Sequence, residues 1–146
     1  MALLVNDARL DGAPVHLRCD DGLIVDLGPD VTAQDGDEVL DAHGMALSPG
    51  LVNGHTHAAM TLFRGFGDDL PLMEWLQTRI WPAEGRLEGD DVYWGTRLAA
   101  AEMLRSGTLH FSDMYWHATD AARAARDAGI RATIPGVLID AGADVQ

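Results

Sequence analysis

A change of rhythm at Ser48 constrains this chain more than any other feature. Before it, short apolar runs are broken by tight-turn pairs. Asp11-Gly12 and Asp21-Gly22 are hairpin signals. Val15-His16-Leu17-Arg18-Cys19 alternates as a half-buried strand does, and Leu23-Ile24-Val25-Asp26-Leu27-Gly28 follows the second turn. Val39-Leu40-Asp41-Ala42 and Met45-Ala46-Leu47 are two further candidate strands. After Ser48 the periods lengthen. Leu51-Val52-Asn53 reads as a short strand entered through Pro49-Gly50, and residues 58–89 read as a long loop rich in Gly, Pro and aromatics. Asp90 or Asp91 can cap a helix reaching Ser106, with Gly107 closing it, and residues 108–115 read as a second strand. Thr119 can cap a second helix closed by Gly129, and residues 130–139 read as a third strand. Strands alternating with helices predict parallel βαβ units, an α/β architecture.

Composition narrows the function classes. Hydrophobic residues make up 47% of the 146, enough to bury a core. The net charge is −13, and all ten basic residues are arginine. An acidic surface repels phosphate backbones, so nucleic-acid binding is excluded as the main role. Without lysine the chain has no Schiff-base amine, no P-loop lysine and no lysine to bridge two metals. No stretch approaches the ~20 apolar residues of a membrane span, and the start lacks a basic, then apolar, leader. The single cysteine, Cys19, rules out an internal disulfide and fits a reducing cytoplasm.

The most informative motif is His55-Thr56-His57. On a strand, residues i and i+2 share a face, ~6.6 Å apart along the chain. Two imidazoles so placed can converge on one ion, each ~2.0–2.1 Å from zinc, and neutral imidazole also suits iron or nickel. The pair follows an apolar strand at its C-terminal end, where sites form in parallel α/β architectures. Asn53-Gly54 before it lets the backbone turn sharply or come close. Two such histidines can equally be satisfied side chains in a packed strand.

These residues carry a resemblance. Ser48-Pro49-Gly50-Leu51-Val52-Asn53-Gly54-His55-Thr56-His57 resembles the opening metal motif of the amidohydrolase superfamily. Three further segments are similar to its methylthioadenosine/S-adenosylhomocysteine deaminase branch. They are Ala58-Ala59-Met60-Thr61-Leu62-Phe63-Arg64-Gly65, then Asp68-Asp69-Leu70-Pro71-Leu72-Met73-Glu74-Trp75-Leu76, then Ile80-Trp81-Pro82-Ala83-Glu84. The resemblance spans about residues 45–140. It implies a (β/α)8 barrel carrying a small β-sandwich assembled from both chain ends. On that frame residues 1–48 are a β-sandwich segment of a composite domain, and residues 49–146 are the first three βα units of a metal-dependent hydrolase barrel. It implies one divalent metal ion, most simply zinc, held in part by His55 and His57. It implies that Glu84 accepts hydrogen bonds from the two ribose hydroxyls of a nucleoside substrate; a carboxylate has the two acceptor oxygens that vicinal donors need.

The implied reaction is hydrolytic deamination of a purine nucleoside-like substrate of the 5′-methylthioadenosine, S-adenosylhomocysteine or adenosine type. The alternatives are a guanine or cytosine deaminase, a triazine chlorohydrolase, or an inactive fragment. A barrel of this kind needs ~250 residues, and about 98 follow residue 48. Two histidines are also too few for a hydrolytic metal site, which wants three protein ligands. The expected partner is therefore a second polypeptide or C-terminal remainder that completes the barrel and supplies the other ligands. The resemblance assigns no catalytic proton-transfer residue to this chain.

Other residues stay open between two roles. Asp113, at the end of the second strand, can touch the site or brace a neighbouring loop. Phe63, Met73, Trp75 and Trp81 can stack on a purine or simply pack the long loop. His110 and His117 fit satisfied histidines better than ligands. Recognition of a homocysteine carboxylate calls for an arginine after the third strand, and residues 140–146 offer none.

Overall fold

The computed structural model describes residues 2–138, and the chain divides into two compact units at Pro49/Gly50. In the first unit, β1 (Leu3–Leu10), β2 (Ala13–Asp20), β3 (Leu23–Gly28) and β4 (Glu38–Asp41) form one sheet in the order β3-β2-β1-β4. The two predicted hairpins are present. Asp11 and Gly12 have φ of 51° and 83°, Asp21 and Gly22 of 47° and 74°. Two successive left-handed residues match the right-handed twist of antiparallel strands, which is why Asp-Gly serves there. β4 runs parallel to β1. The predicted strand at Met45-Ala46-Leu47 is reduced to a single bridge between Ala46 and Arg9.

The core of this unit is small: Ala8, Val15 and Ala42 form one cluster, with Val5, Leu10 and Leu47 packed around them, and Leu4 and Leu17 are buried as well. Polar contacts add to it. Arg18 donates two hydrogen bonds of 2.8 Å to the two carboxylate oxygens of Asp37, and Asp37 also accepts the Gln34 N–H at 2.9 Å. These bonds tie β2 to the turn before β4. They hold the Asp37 carboxyl down at about 2.

The second unit carries the predicted parallel sheet. β5 (Leu51–Thr56), β6 (Thr108–Asp113) and β7 (Arg131–Thr133) are parallel and adjacent in chain order. α3 (Gly89–Arg105) links β5 to β6 after a helical excursion, and α4 (Ala118–Ala128) links β6 to β7. Ile139, which ends the predicted third strand, lies outside the described residues, as do residues 140–146 after it.

Three local readings are corrected. Residues 58–89 are not a loop. They hold a 3-10 helix (Ala58–Phe63), then α1 (Leu72–Trp75), a π-helical turn (Leu76–Ile80) and α2 (Trp81–Glu84) in succession. Pro82 reads as a breaker, but it has no N–H to give the helical ladder, and the wider π turn just before it absorbs that loss. The cap of α3 is Glu88, not Asp90 or Asp91. Its side chain accepts the Asp91 N–H while Asp91 accepts the Glu88 N–H at 2.9 Å, a reciprocal capping box. The residue preceding α4 is His117, in a left-handed conformation at φ 51°, rather than Thr119.

Small side chains set how closely the layers approach. Phe111 of β6 is fully buried among Ala58, Ala99, Ala100, Ala125 and Ile130. A second cluster joins Ala59, Val92, Tyr115 and Ala121. At the crossing of α3 with the 3-10 helix stands Gly95, where an added Cβ would lie 2.7 Å from the Ala59 carbonyl oxygen. Thr61 clamps the same crossing by donating to the Gly95 carbonyl at 2.9 Å.

Two predictions follow from this packing. In an unobstructed helix, Gly→Ala gains ~1 kcal/mol. At Gly95 the clash is with backbone, which cannot rotate away, and overpacking costs ~1–3 kcal/mol. Gly95→Ala is therefore expected to lower stability, by about 1–2 kcal/mol in urea titrations; a stabilised variant would refute the close approach. In the first unit, the lowered Asp37 pKa makes the Arg18 pair stabilising above the ordinary value of 3.8 and progressively less so as pH falls through about 2. Asp37→Asn should lower the melting temperature at pH 7, and the gap to wild type should close between pH 4 and pH 2.

Candidate active site

Parallel strands that pair in register end at the same edge of the sheet, and the candidate residues gather there. Thr56 of β5 pairs with Asp113 of β6, and the Met114 N–H donates to the Thr56 carbonyl at 3.2 Å. The alternation of β5 is not regular up to that point. Asn53 pairs with Phe111 and Thr56 with Asp113, so three steps along β5 match two along β6. The extra residue is a bulge, which re-aims side chains near a strand end. Asn53 supports it: its side-chain oxygen accepts the His55 N–H at 3.2 Å.

His55 lies within β5 and is exposed, while His57 stands just past its end, half-buried. Their ring centres are 5.0 Å apart with planes at 81°. The Nδ1 of His57 lies 2.6 Å from the Met114 carbonyl oxygen. A carbonyl can only accept, so Nδ1 carries the proton, and in the neutral ring the lone pair is on Nε2. Tyr115 flanks the same ring, centre to centre 6.1 Å. Among the described residues no third His, Cys, Asp or Glu joins the pair as a metal-holding group.

Asp113 is a brace. One carboxylate oxygen, Oδ1, accepts the N–H of Ala58 at 2.9 Å and of Met114 at 3.0 Å. The side chain is 1% exposed, and Oδ2 is buried without a partner. Burial raises the Asp113 pKa, against the two N–H bonds and the nearby His57 and His55.

Glu84 closes α2 and shares a cavity with His57. The cavity is about 310 Å³, and its walls include Trp75, Trp81, Met114, Tyr115 and Trp116. The Trp116 indole N–H reaches Glu84 Oε2 at 3.4 Å, a long hydrogen bond. The Tyr115 hydroxyl is buried with no aligned hydrogen-bond partner. Burial first, then the neighbouring Glu84 carboxylate, pushes that phenol far above its ordinary range, so it stays protonated. Of the aromatics singled out in the sequence, Trp75 and Trp81 line the cavity. Phe63 instead packs on Phe66 at 5.9 Å, and Met73 is exposed. His110 and His117 are each satisfied elsewhere, by Thr133 Oγ1 and the Leu87 carbonyl, both at 3.1 Å.

Sequence reasoning missed Met114, Tyr115 and Trp116. Their only signal was position, the three residues directly after the last residue of a parallel strand.

The pattern of the amidohydrolase family matches residues 46–145. The chain is 48% identical over 128 residues to a 5′-deoxyadenosine deaminase of Methanospirillum hungatei, covering 86% of this chain and 28% of that protein. It is 53% identical over 123 residues to a 5-methylthioadenosine/S-adenosylhomocysteine deaminase of Desulforudis audaxviator, covering 82% and 29%. Among solved structures, an adenosine deaminase from Xanthomonas campestris with bound zinc superposes with a TM-score of 0.79 at 35% identity, covering 91% of this chain and 33% of that one. The chain thus spans about a third or less of the proteins it matches. A parallel sheet with two histidines at its strand ends, and a family match over most of the sequence, lead to one conclusion: this chain belongs to the amidohydrolase family.

Proposed function

We propose that this chain is the N-terminal part of a metal-dependent aminohydrolase that deaminates a purine nucleoside-like substrate of the 5′-methylthioadenosine, S-adenosylhomocysteine or adenosine type. The observation that carries the reading is the cavity that His57 and Glu84 share. His57 offers an imidazole nitrogen and Glu84 a carboxylate, and the indoles of Trp75, Trp81 and Trp116 in the same lining suit a purine. Relatives named as deaminases of such nucleosides support it.

The residues present fit a metal. Two imidazoles bound to one tetrahedral ion at ~2.0–2.1 Å would have ring centres about 5 Å apart. The rings of His55 and His57 are 5.0 Å apart, and the Met114 carbonyl fixes His57 with its Nε2 lone pair free. His55 and His57 would hold a divalent ion, most simply zinc, which when bound would supply the Lewis acidity that makes water a nucleophile near neutral pH. This chain's own part is to hold and orient. His57 is locked in one tautomer. Glu84 binds the two sugar hydroxyls. Trp75, Trp81 and Trp116 exclude water from the ring. In this reading residues 1–48 form a β-sandwich segment and residues 49–146 the first three βα units of a (β/α)8 barrel. The remaining ligands and the proton-transfer group come from segments outside this chain. No helix among the described residues is long and apolar enough to cross a membrane, and the lone Cys19 suits a cytoplasmic enzyme.

Two outcomes test the reading. The complete protein should hold one zinc per site, lose deamination on chelation and regain it on adding zinc. His55→Ala and His57→Ala should each abolish turnover, and the 146-residue chain alone should have none. An enzyme-like rate from the isolated chain would refute the proposal. For Glu84, hydrogen bonds to a charged group contribute ~1.5–3 kcal/mol. Glu84→Ala should then raise KM for nucleosides by about 10- to 100-fold and leave turnover of a free base nearly unchanged. Equal losses on both substrates would remove Glu84 from the sugar site.

A further inference from the structure

The 3-10 helix Ala58–Phe63 begins directly after His57, and its first N–H needs an acceptor. His57 occupies the cap position at φ −119° and ψ 75° and makes no side-chain cap bond. Its ring is committed to the Met114 carbonyl instead. Ala58 is 2% exposed, so water does not serve its N–H, and a buried donor left without a partner is strongly unfavourable. The acceptor comes from the neighbouring strand. Asp113 Oδ1 takes the Ala58 N–H at 2.9 Å and the Met114 N–H at 3.0 Å. The first of these peptides follows His57, and the second belongs to the residue whose carbonyl orients the His57 ring. A single oxygen atom therefore holds both the backbone on which His57 stands and the group that sets its tautomer. The other oxygen, Oδ2, has no hydrogen-bond partner, so the work falls on Oδ1.

We infer that Asp113 is a positioning residue for the metal-binding histidine: it caps the helix that follows His57 from the adjacent strand and thereby aims the His57 Nε2 lone pair. This rests on the metal-binding reading of His55 and His57 above. The hydrogen bonds of Asp113 go to the backbone on either side of the His57 contact. Its effect passes through His57, as outer partners of a ligand commonly act. The geometry also sets what can replace it. Asparagine keeps an acceptor at the Oδ1 position, whereas alanine removes it, leaving the Ala58 N–H without an acceptor and the Met114 N–H with only the Thr56 carbonyl.

The test measures zinc affinity of the complete, metal-stripped enzyme by competition with a chromophoric chelator. The His57 tautomer is read beside it from nitrogen chemical shifts of histidine-labelled, metal-free protein. Asp113→Ala should weaken zinc binding by about 10- to 100-fold and lose the single Nδ1–H tautomer. Asp113→Asn should stay close to wild type in both, a rescue that a purely electrostatic role would not give. Should the alanine variant not fold, Asp113→Ser serves in its place, because its hydroxyl is one bond too short to reach Ala58 and should behave as alanine does. Wild-type affinity and tautomer in the alanine or serine variant would overturn the inference, and so would an asparagine variant as weak as alanine. His57→Ala separates the two levels. If it loses zinc while Asp113→Ala keeps it, only the positioning role fails. If it binds zinc as wild type does, the metal reading fails and the inference falls with it.

Discussion

The parallel pairing of β5 with β6 is the constraint on which the site depends. Parallel strands finish at the same edge, so the residues leaving β5 and those leaving β6 emerge side by side. That is why His57 meets the Met114 carbonyl and why Asp113 can reach the amide of Ala58. An antiparallel pair would send these segments to opposite ends of the sheet and leave the histidine ring without its acceptor. Phe111, fully buried between the helices, anchors β6 and hence the edge.

Residue size is divided between core and cavity. The packing behind the sheet is made largely from alanine, at Ala58, Ala59, Ala99, Ala100, Ala121, Ala124 and Ala125, all buried. Such faces let α3 and α4 approach the sheet closely, and Gly95 lets α3 come as close to the 3-10 helix. Three of the four tryptophans, Trp75, Trp81 and Trp116, are left for the cavity. Trp81 and Trp116 stay 49% and 40% exposed although they are among the largest apolar groups in the chain. Apolar surface left open at the rim of a concave site is surface that a flat ligand can cover.

The strand and helix pattern was legible where a local period or a turn residue dictates it. Asp11-Gly12 and Asp21-Gly22 can hardly do anything but reverse a hairpin, and Gly107 and Gly129 take the left-handed conformation that ends a helix. The His55–His57 pair stood out because its spacing follows a strand. Three things were not legible, each for a physical reason. The helices between Leu72 and Glu84 were hidden because Pro82 signals a break, and nothing local says that a π turn will absorb it. The bulge before Thr56 arises from pairing with β6, a partner more than 50 residues away in the chain. The choice between a touching and a bracing Asp113 depended on the Ala58 amide, which only the folded sheet brings within reach.

Two residues that line the cavity, His57 and Glu84, are both reached from one short turn. Met114 orients the His57 ring, Trp116 reaches Glu84, and the Nε2–H of His117 donates to the carbonyl of Leu87, three residues past Glu84. His117 does this from a left-handed conformation, a state that costs a non-glycine residue and persists where the surroundings over-determine it. A glycine would adopt that backbone freely but has no ring with which to hold Leu87. The side chain explains why a histidine stands at a position whose backbone favours glycine. Residues 114–117 thus contact both His57 and the segment that carries Glu84.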